Sequence, residues 1–381
     1  MKKIFRILDI ALFAYVASLA LILGFVSPSL NWDVIGYVGA AKALGESDPT
    51  AVHQFTFAMI QGAVLPAVFQ AFITGPDPHG IFSDPHALFE LLPFYQIRIG
   101  YILLVRLLSL VGVSMVTATF AISAVSVALT LVLLFYMSRT FLAPQLRIVI
   151  PLAALAFGFT DIARMSTPDG LALLTIIGCC FLFLKNEVVF LQRILPLLGL
   201  IRTDLSLFSL AMLVALFTRS DAAKREIGVA MVATVAICIG VEAVFGHPGW
   251  ATILYVTLVQ PLPYPISSPP TVTPGLYLKV LVEGLRELPH ENGFLVYVGL
   301  SACCVLIQRR FANEVRAHRS SASQLGMICA WYILIHFVAL PVAWDRFFAG
   351  PYIMGIFALL AMLTERTKAT SSTPKNAPSG I

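Results

Sequence analysis

The chain is a succession of apolar runs of about fifteen to twenty-four residues, separated by charged turns and by two long segments. Ten can be marked: 7–27, 114–137, 147–163, 167–184, 187–201, 203–218, 227–246, 292–308, 325–341 and 349–363. An α-helix rises about 1.5 Å per residue and a bilayer's hydrocarbon core is about 30 Å thick, so runs of roughly 20 residues suit a membrane. Composition agrees. Of 381 residues, 59% are hydrophobic and 12% charged, where a soluble domain carries about 25% charged. So little charge cannot cover a water-facing surface of that size. The expected fold class is an all-α polytopic membrane protein with about ten transmembrane helices, forming one transmembrane domain over residues 1–366. The net charge of +5 does not point to nucleic acid here; in a membrane chain the placement of Lys and Arg matters more.

Placement gives an orientation. With the N-terminus in the cytoplasm and the spans alternating, the inner turns hold Lys2, Lys3, Arg6, Arg139, Arg147, Lys185, Arg219, Lys224, Arg225, Arg309, Arg310, Arg316, Arg319, Arg366 and Lys368. The outer turns hold most of the acids, from Asp33 to Asp345. Both termini are then cytoplasmic, and the acidic turns and long segments face outward. The first run is long enough to span, so it reads as an uncleaved helix and not as the shorter core of a signal peptide. All six cysteines lie in apolar runs and read as packing residues.

Two outer segments are long: 28–113 and 247–291. In the first, Asn31 to Leu44 predicts a helix capped by Asn31 and ended near Gly45. Residues 50–73 predict a helix lying at the interface, 94–111 an apolar helix that carries Arg98 and Arg106 and is interfacial or leans into the protein, and 74–86 a turn-rich loop. In the second, the prolines between Gln260 and Pro274 predict extended chain, followed by an amphipathic helix over 276–288. The Ser/Thr/Pro-rich tail, 367–381, predicts disorder in the cytoplasm.

Two hairpins are short for a bilayer. Runs 187–201 and 203–218 meet at Arg202-Thr203-Asp204, and 147–163 and 167–184 meet near Asp161, Arg164 and Asp169. About 14 residues rise about 21 Å, so these tips sink below the outer surface. Charges at that depth are costly unless they pair or face a water-filled cavity. The arithmetic predicts a polar bowl that opens outward.

Several constellations could carry chemistry there. Asp33, beside Trp32, directly follows the first span; it reads as an acid stabilised by a helix N-terminus or as a general base. Arg98, in Tyr95-Gln96-Ile97-Arg98, reads as an interfacial arginine snorkelling to headgroups or as a cation for a lipid phosphate. Arg346, in Trp344-Asp345-Arg346-Phe347-Phe348, reads as part of an aromatic belt with a local ion pair or as a second phosphate cation. Arg202 and Asp204 form a submerged pair, which needs a reason to exist. Asp77-Pro78-His79 and Asp84-Pro85-His86 could supply ligands for a divalent ion, and turn composition explains the Asp-Pro pairs equally well. There is no phosphate-binding glycine loop, dinucleotide fingerprint, zinc-protease motif or nucleophile elbow.

One helix followed by a long outer loop that opens Trp32-Asp33-x-x-x-Tyr37-x-x-Ala40-Ala41 resembles the GT-C superfamily of membrane glycosyltransferases. That superfamily includes protein mannosyltransferases, aminoarabinose transferases and bacterial oligosaccharyltransferases. Leu92-Pro-Phe-Tyr-Gln-Ile-Arg98 is similar to the family's arginine-bearing loop end. Ser166-Thr-Pro-Asp-Gly170 and Ile201-Arg-Thr-Asp204 resemble its Pro-Asp and Arg-Pro-Asp turns, and Asp345-Arg-Phe-Phe-Ala-Gly-Pro351 resembles the start of a late helix. The motifs follow in the family's order over residues 1–365. Two departures stand out: many members have two adjacent acids where Asp33 stands between Trp32 and Val34, and no soluble C-terminal domain like that of the oligosaccharyltransferases is expected.

The resemblance implies a GT-C-like fold and an inverting transfer of a sugar from a polyprenyl-phosphate carrier to a glycan, lipid or protein acceptor at the outer face. It implies Asp33 as the base, and Arg98 and Arg346 as cations that meet the carrier phosphate. Arg202, Asp204, Asp169, Trp32 and Tyr37 are expected to bind substrate beside them. No cofactor is implied; a divalent ion is the alternative. Two other function classes fit a polar cavity in a membrane: a transporter or flippase, which predicts repeats or helices broken near the midplane, and a scaffold, which does not need these residues to converge.

Overall fold

The computed structural model describes residues 2–74, 76–219, 223–246, 248–310 and 320–372. It is helical throughout, with nineteen α-helices among the described residues. The chain opens with α1 (Lys2–Val26). Six helices fill the first outer segment: α2 (Asp33–Ala43), α3 (Pro49–Ala63), α4 (Pro66–Ile73), α5 (Pro76–Ser83), α6 (Pro85–Gln96) and α7 (Ile99–Leu110). Next come α8 (Met115–Phe141), α9 (Val149–Ala156), α10 (Phe159–Arg164), α11 (Asp169–Leu184) and α12 (Val188–Ile194), which runs into a 3-10 helix over Leu195–Leu200. The remainder is α13 (Leu205–Arg219), α14 (Lys224–Phe245), α15 (Trp250–Leu258), α16 (Pro274–Glu287), α17 (Asn292–Arg310), α18 (Ser321–Ala339) and α19 (Asp345–Ser372).

Five of the described helices are long and apolar enough to cross a membrane: Arg6–Val26, Met115–Phe141, Lys224–Phe245, Ser321–Ala339 and Asp345–Glu365. Two bent pairs could add one span each, α6 with α7 at 109° and α16 continuing through His290 into α17 at 71°. The protein is thus a polytopic membrane protein with five or more candidate spans. Fewer helices than apolar runs pass the length test for physical reasons. The run 147–163 is broken at Gly158, whose φ of +72° ends α9 and starts α10. The run 187–201 turns from α to 3-10 geometry at Leu195, and α13 has fifteen residues, about 22 Å.

Other expectations need correction. The stretch 74–86 is not a loop, because Pro76 begins α5 and Pro85 begins α6. Proline fits the first turn of a helix, whose N–H groups have no intrahelical partner. Asp84 caps α6 by accepting the His86 N–H, and Asp48 caps α3 through Thr50 and Ala51; the Asp-Pro pairs are helix starts. The helix expected from Asn31 has Trp32 at its N-cap without a side-chain bond, and Asn31 turns instead to Asp33. The helix expected over 94–111 is two helices, interrupted at Ile97-Arg98. α19 continues to Ser372, past Thr367 where disorder was expected; residues 373–381 lie outside the described residues.

Two apolar cores organise the fold. The larger gathers α8 to α14 and α17 to α19 around residues such as Leu131, Phe157, Ile177, Phe208, Tyr332 and Phe357. The smaller belongs to the first outer segment, where Val34, Tyr37, Val38 and Ala41 of α2 pack among Val52, Ile60, Leu88, Leu92, Tyr101 and Val105. Every residue from Val34 to Ala41 is buried, so α2 is the central rod of that core. It does not float on the interface, since a helix apolar on all sides must be covered on all sides. The start of α8, with Met115, Val116 and Ala118, belongs to the smaller core and ties it to the larger.

Candidate active site

Between the two cores lies a cavity of about 440 Å³, and the local chain paths explain what lines it. After α1, the Ser29 N–H donates to Arg164 O at 2.8 Å and the Arg164 Nε–H to Ser27 O at 2.7 Å. This staple to the end of α10 fixes where Asp33 begins α2. On the other side, Ser123 of α8 donates to Thr167 O at 2.6 Å, and Gly170 lets α11 approach so closely that a Cβ there would lie 2.7 Å from Ser123 Cα. That contact sets Asp169 at the start of α11. Arg202 and Asp204 sit in the turn before α13, and Arg346 is the second residue of α19. Four helices thus direct their N-terminal ends, the positive ends of their dipoles, at the cavity.

The charged side chains form an alternating series. Asp33 Oδ2 accepts from Asn31 Nδ2 at 2.7 Å and lies 3.5 Å from Arg346 Nη1, while Tyr95 donates to Asp33 Oδ1 at 3.4 Å. The same Arg346 Nη1 is 3.8 Å from Asp169 Oδ2. Asp169 accepts from Thr167 Oγ1 at 2.7 Å and from Arg202 Nη1 at 2.7 Å. Arg202 also grips Asp204 through Nε at 3.0 Å and Nη2 at 2.6 Å. Asp204 Oδ2 then accepts from Tyr332 at 2.9 Å and lies 3.2 Å from His336 Nε2.

The three arginines are not equivalent. Arg202 is 5% exposed, chelates Asp204 and binds Asp169, and its guanidinium lies over the Phe347 ring at 4.5 Å. Its donors are largely taken by the protein. Arg346 has two longer carboxylate contacts and lies over Trp344 at 4.7 Å and Phe347 at 5.2 Å. Arg98 sits at the break between α6 and α7. It donates to Phe94 O at 3.2 Å and lies over the rings of Tyr37 and Tyr95 at 5.7 and 5.9 Å. Among the described residues no carboxylate comes within ion-pair distance of it. Burial pushes the Tyr37 phenol up, against the pull of the nearby Arg98 guanidinium, so Tyr37 meets Arg98 as a neutral ring.

The remaining wall is apolar: Ile81, Leu91 and Phe94 from the first outer segment, Ile253, Val256, Pro261 and Leu262 from the second, and Leu340. The second segment is held down by two acids. Tyr264 donates to the Asp84 carboxylate, and Glu90 Oε2 accepts from the N–H groups of Ile266 and Ser267 at 3.1 and 3.0 Å.

The eight residues expected to carry the base, phosphate and substrate contacts line this cavity: Trp32, Asp33, Tyr37, Arg98, Asp169, Arg202, Asp204 and Arg346; Asp161 and Arg164, expected at the same polar bowl, are not in its lining and pair with each other at 3.8 Å. Sequence reasoning missed Asn31 and Tyr95 on Asp33, Thr167 on Asp169, and Tyr332 and His336 on Asp204. A histidine inside the apolar run 325–341 is itself a signal, because ionisable groups there are rare without a partner. Tyr332, one helical turn earlier, shares its face. Of the possible metal ligands, Asp84 is engaged by Tyr264 and the His86 N–H, and the side chains of Asp77 and His79 lie outside the described residues. Comparison with protein-family models, curated proteins and solved structures found no match.

Proposed function

We propose that this chain is an inverting glycosyltransferase of the GT-C kind, with about ten spans and both termini in the cytoplasm. It moves a sugar from a polyprenyl-phosphate carrier to an acceptor hydroxyl at the outer face. The observation that carries this reading is the mixed lining of the cavity: Asp33 and two arginines with spare donor capacity, together with apolar side chains from both outer segments. An amphiphile with an anionic head fits such a shape better than a small polar solute does.

In this reading the acceptor oxygen attacks the anomeric carbon while Asp33 removes its proton. The C–O bond to the carrier phosphate breaks, and its electron pair leaves with the phosphate. Arg98 and Arg346 stabilise the charge that grows on the bridging oxygen. One displacement inverts the anomeric centre. Arg202 holds Asp169 and Asp204 in place, Trp344 and Phe347 stack under the arginines, and Trp32 offers a flat face for a sugar ring.

The test is transfer by purified protein from a polyprenyl-phosphate sugar. Asp33→Asn keeps the size and the Asn31 contact but cannot accept the proton, so the rate should fall by about 10²–10⁴ with folding and donor binding unchanged. Asp48→Asn is the control, because Asn caps a helix as well as Asp does. Transfer by Asp33→Asn within a few-fold of the parent would end the assignment.

Transport is a second reading, favoured by the bends of 109° at Arg98 and 71° between α16 and α17. Carrier-linked sugar crossing proteoliposomes without any transfer would favour it.

A further inference from the structure

A second cavity lies at the opposite end of the molecule. α11 starts in the active-site cavity at Asp169 and runs sixteen residues, about 24 Å, to Lys185. The chain reverses at Asn186, whose φ is +60°, and α12 begins the return. α13 leaves the active-site cavity at Leu205 and ends at Arg219, and α14 starts just beyond it. Between α12 with its 3-10 continuation and α14 is a groove of about 450 Å³. Arg193, from the last turn of α12, and Arg225, from the first turn of α14, both line it. Both are exposed, and no carboxylate comes within ion-pair distance of either among the described residues. From Arg225 to Ile237 the groove follows α14 for twelve residues, about 18 Å, which is close to one leaflet of a roughly 30 Å hydrocarbon core. Its walls there are apolar, with Leu197 and Val229 exposed. Gln192 also lines the groove, and its buried side-chain oxygen receives no hydrogen bond.

Two cations at the mouth, an acceptor beside them and an apolar trough one leaflet long match one lipid chemistry. We propose that this groove binds an anionic glycerophospholipid with a hydroxyl-bearing headgroup, of the phosphatidylglycerol type. Its phosphate lies between Arg193 and Arg225, a headgroup hydroxyl donates to Gln192, and an acyl chain lies along α14. Glu226, the carboxylate that lines the same groove, opposes the phosphate and keeps binding moderate. The site is independent of the outward cavity and does not depend on the activity assigned there.

The test uses the full chain, delipidated in detergent, with phosphatidylglycerol, phosphatidylethanolamine or phosphatidylcholine added and retention read by native mass spectrometry. Phosphatidylglycerol should be retained in preference to the other two. Arg193→Ala with Arg225→Ala should weaken its binding about thirty-fold, taking each cation at its usual value near an anionic leaflet. Glu226→Gln should strengthen it. Equal retention of the three lipids would overturn the proposal, as would preference for phosphatidylethanolamine, whose ammonium would instead seek Glu226. If the double alanine variant does not fold, Glu226→Gln decides alone: unchanged or weaker phosphatidylglycerol retention overturns the site.

Discussion

Replacing Arg202 by Met should cost the protein its stability, whereas replacing Arg98 by Met should cost it mainly its ligand. Arg202 makes three short bonds to carboxylates, at 2.7, 3.0 and 2.6 Å, and is 5% exposed. Hydrogen bonds to charged groups contribute roughly 1.5–3 kcal/mol each, but they do not add. After the substitution Asp204 keeps Tyr332 and His336, and Asp169 keeps Thr167 with Arg346 nearby. The expected loss is that of breaking one buried pair, about 3–5 kcal/mol. Arg98 leaves no carboxylate behind. Its loss removes one bond to Phe94 O and contacts with two ring faces, the latter worth roughly 0.5–1 kcal/mol each, offset by no longer burying a cation without a counter-ion. The net change should be about 1 kcal/mol, with carrier-phosphate binding lost. Equilibrium unfolding in mixed micelles, run beside a donor-binding assay, reads both quantities. The reasoning fails if Arg202→Met unfolds within about 1 kcal/mol of the parent protein, or if Arg98→Met falls as far as Arg202→Met.

Gly36→Ala should lower transfer several-fold at nearly normal expression, because a Cβ there would overlap the Tyr95 ring that contacts Asp33; unchanged activity would show that Tyr95 has no part in placing the base. The second outer segment should loosen in acid. The Tyr264 hydroxyl bonded to Asp84 holds that carboxyl below its ordinary 3.8. The tie is therefore complete above 3.8 and is lost as pH falls through the lowered native value. Hydrogen exchange over 260–274 should rise in that window, and Tyr264→Phe should show the same rise already at neutral pH. A cysteine placed at Asp77 should be labelled from outside and one at Arg316 from inside the membrane; labelling of both from one side would overturn the proposed topology.

The longer apolar runs were legible because hydropathy is local: run 114–137 nearly coincides with α8 and 227–246 with α14, whereas 147–163 and 187–201 each break in two. Asp33, Arg98, Arg202 and Arg346 were legible because a charge inside or beside an apolar run demands an explanation. Of what they touch, only the Arg202–Asp204 pair was. Arg202 looked like a cation for substrate, and its engagement by Asp169 depends on a neighbour 33 positions away in sequence. The burial of α2 was hidden for a similar reason. Val34 to Ala41 suit a membrane surface as well as a protein core, and α6 and α7 decide between them. The bend at Arg98 left no proline or glycine at the break itself; its nearest marks are Pro93 and Gly100.

Because the cavity lies where two cores meet, its width is not a property of either. Asp33, Tyr37, Tyr95 and Arg98 travel with the smaller core, and Asp169, Arg202, Asp204 and Arg346 with the larger. The carboxylate–guanidinium contact across that seam is Asp33 to Arg346 at 3.5 Å, looser than the grip of Arg202 on its own side. One helix, α8, enters both cores, so its path fixes how far Arg98 stands from Arg346. Any ligand that touches both arginines therefore bridges the seam and adds to the ties between the two cores.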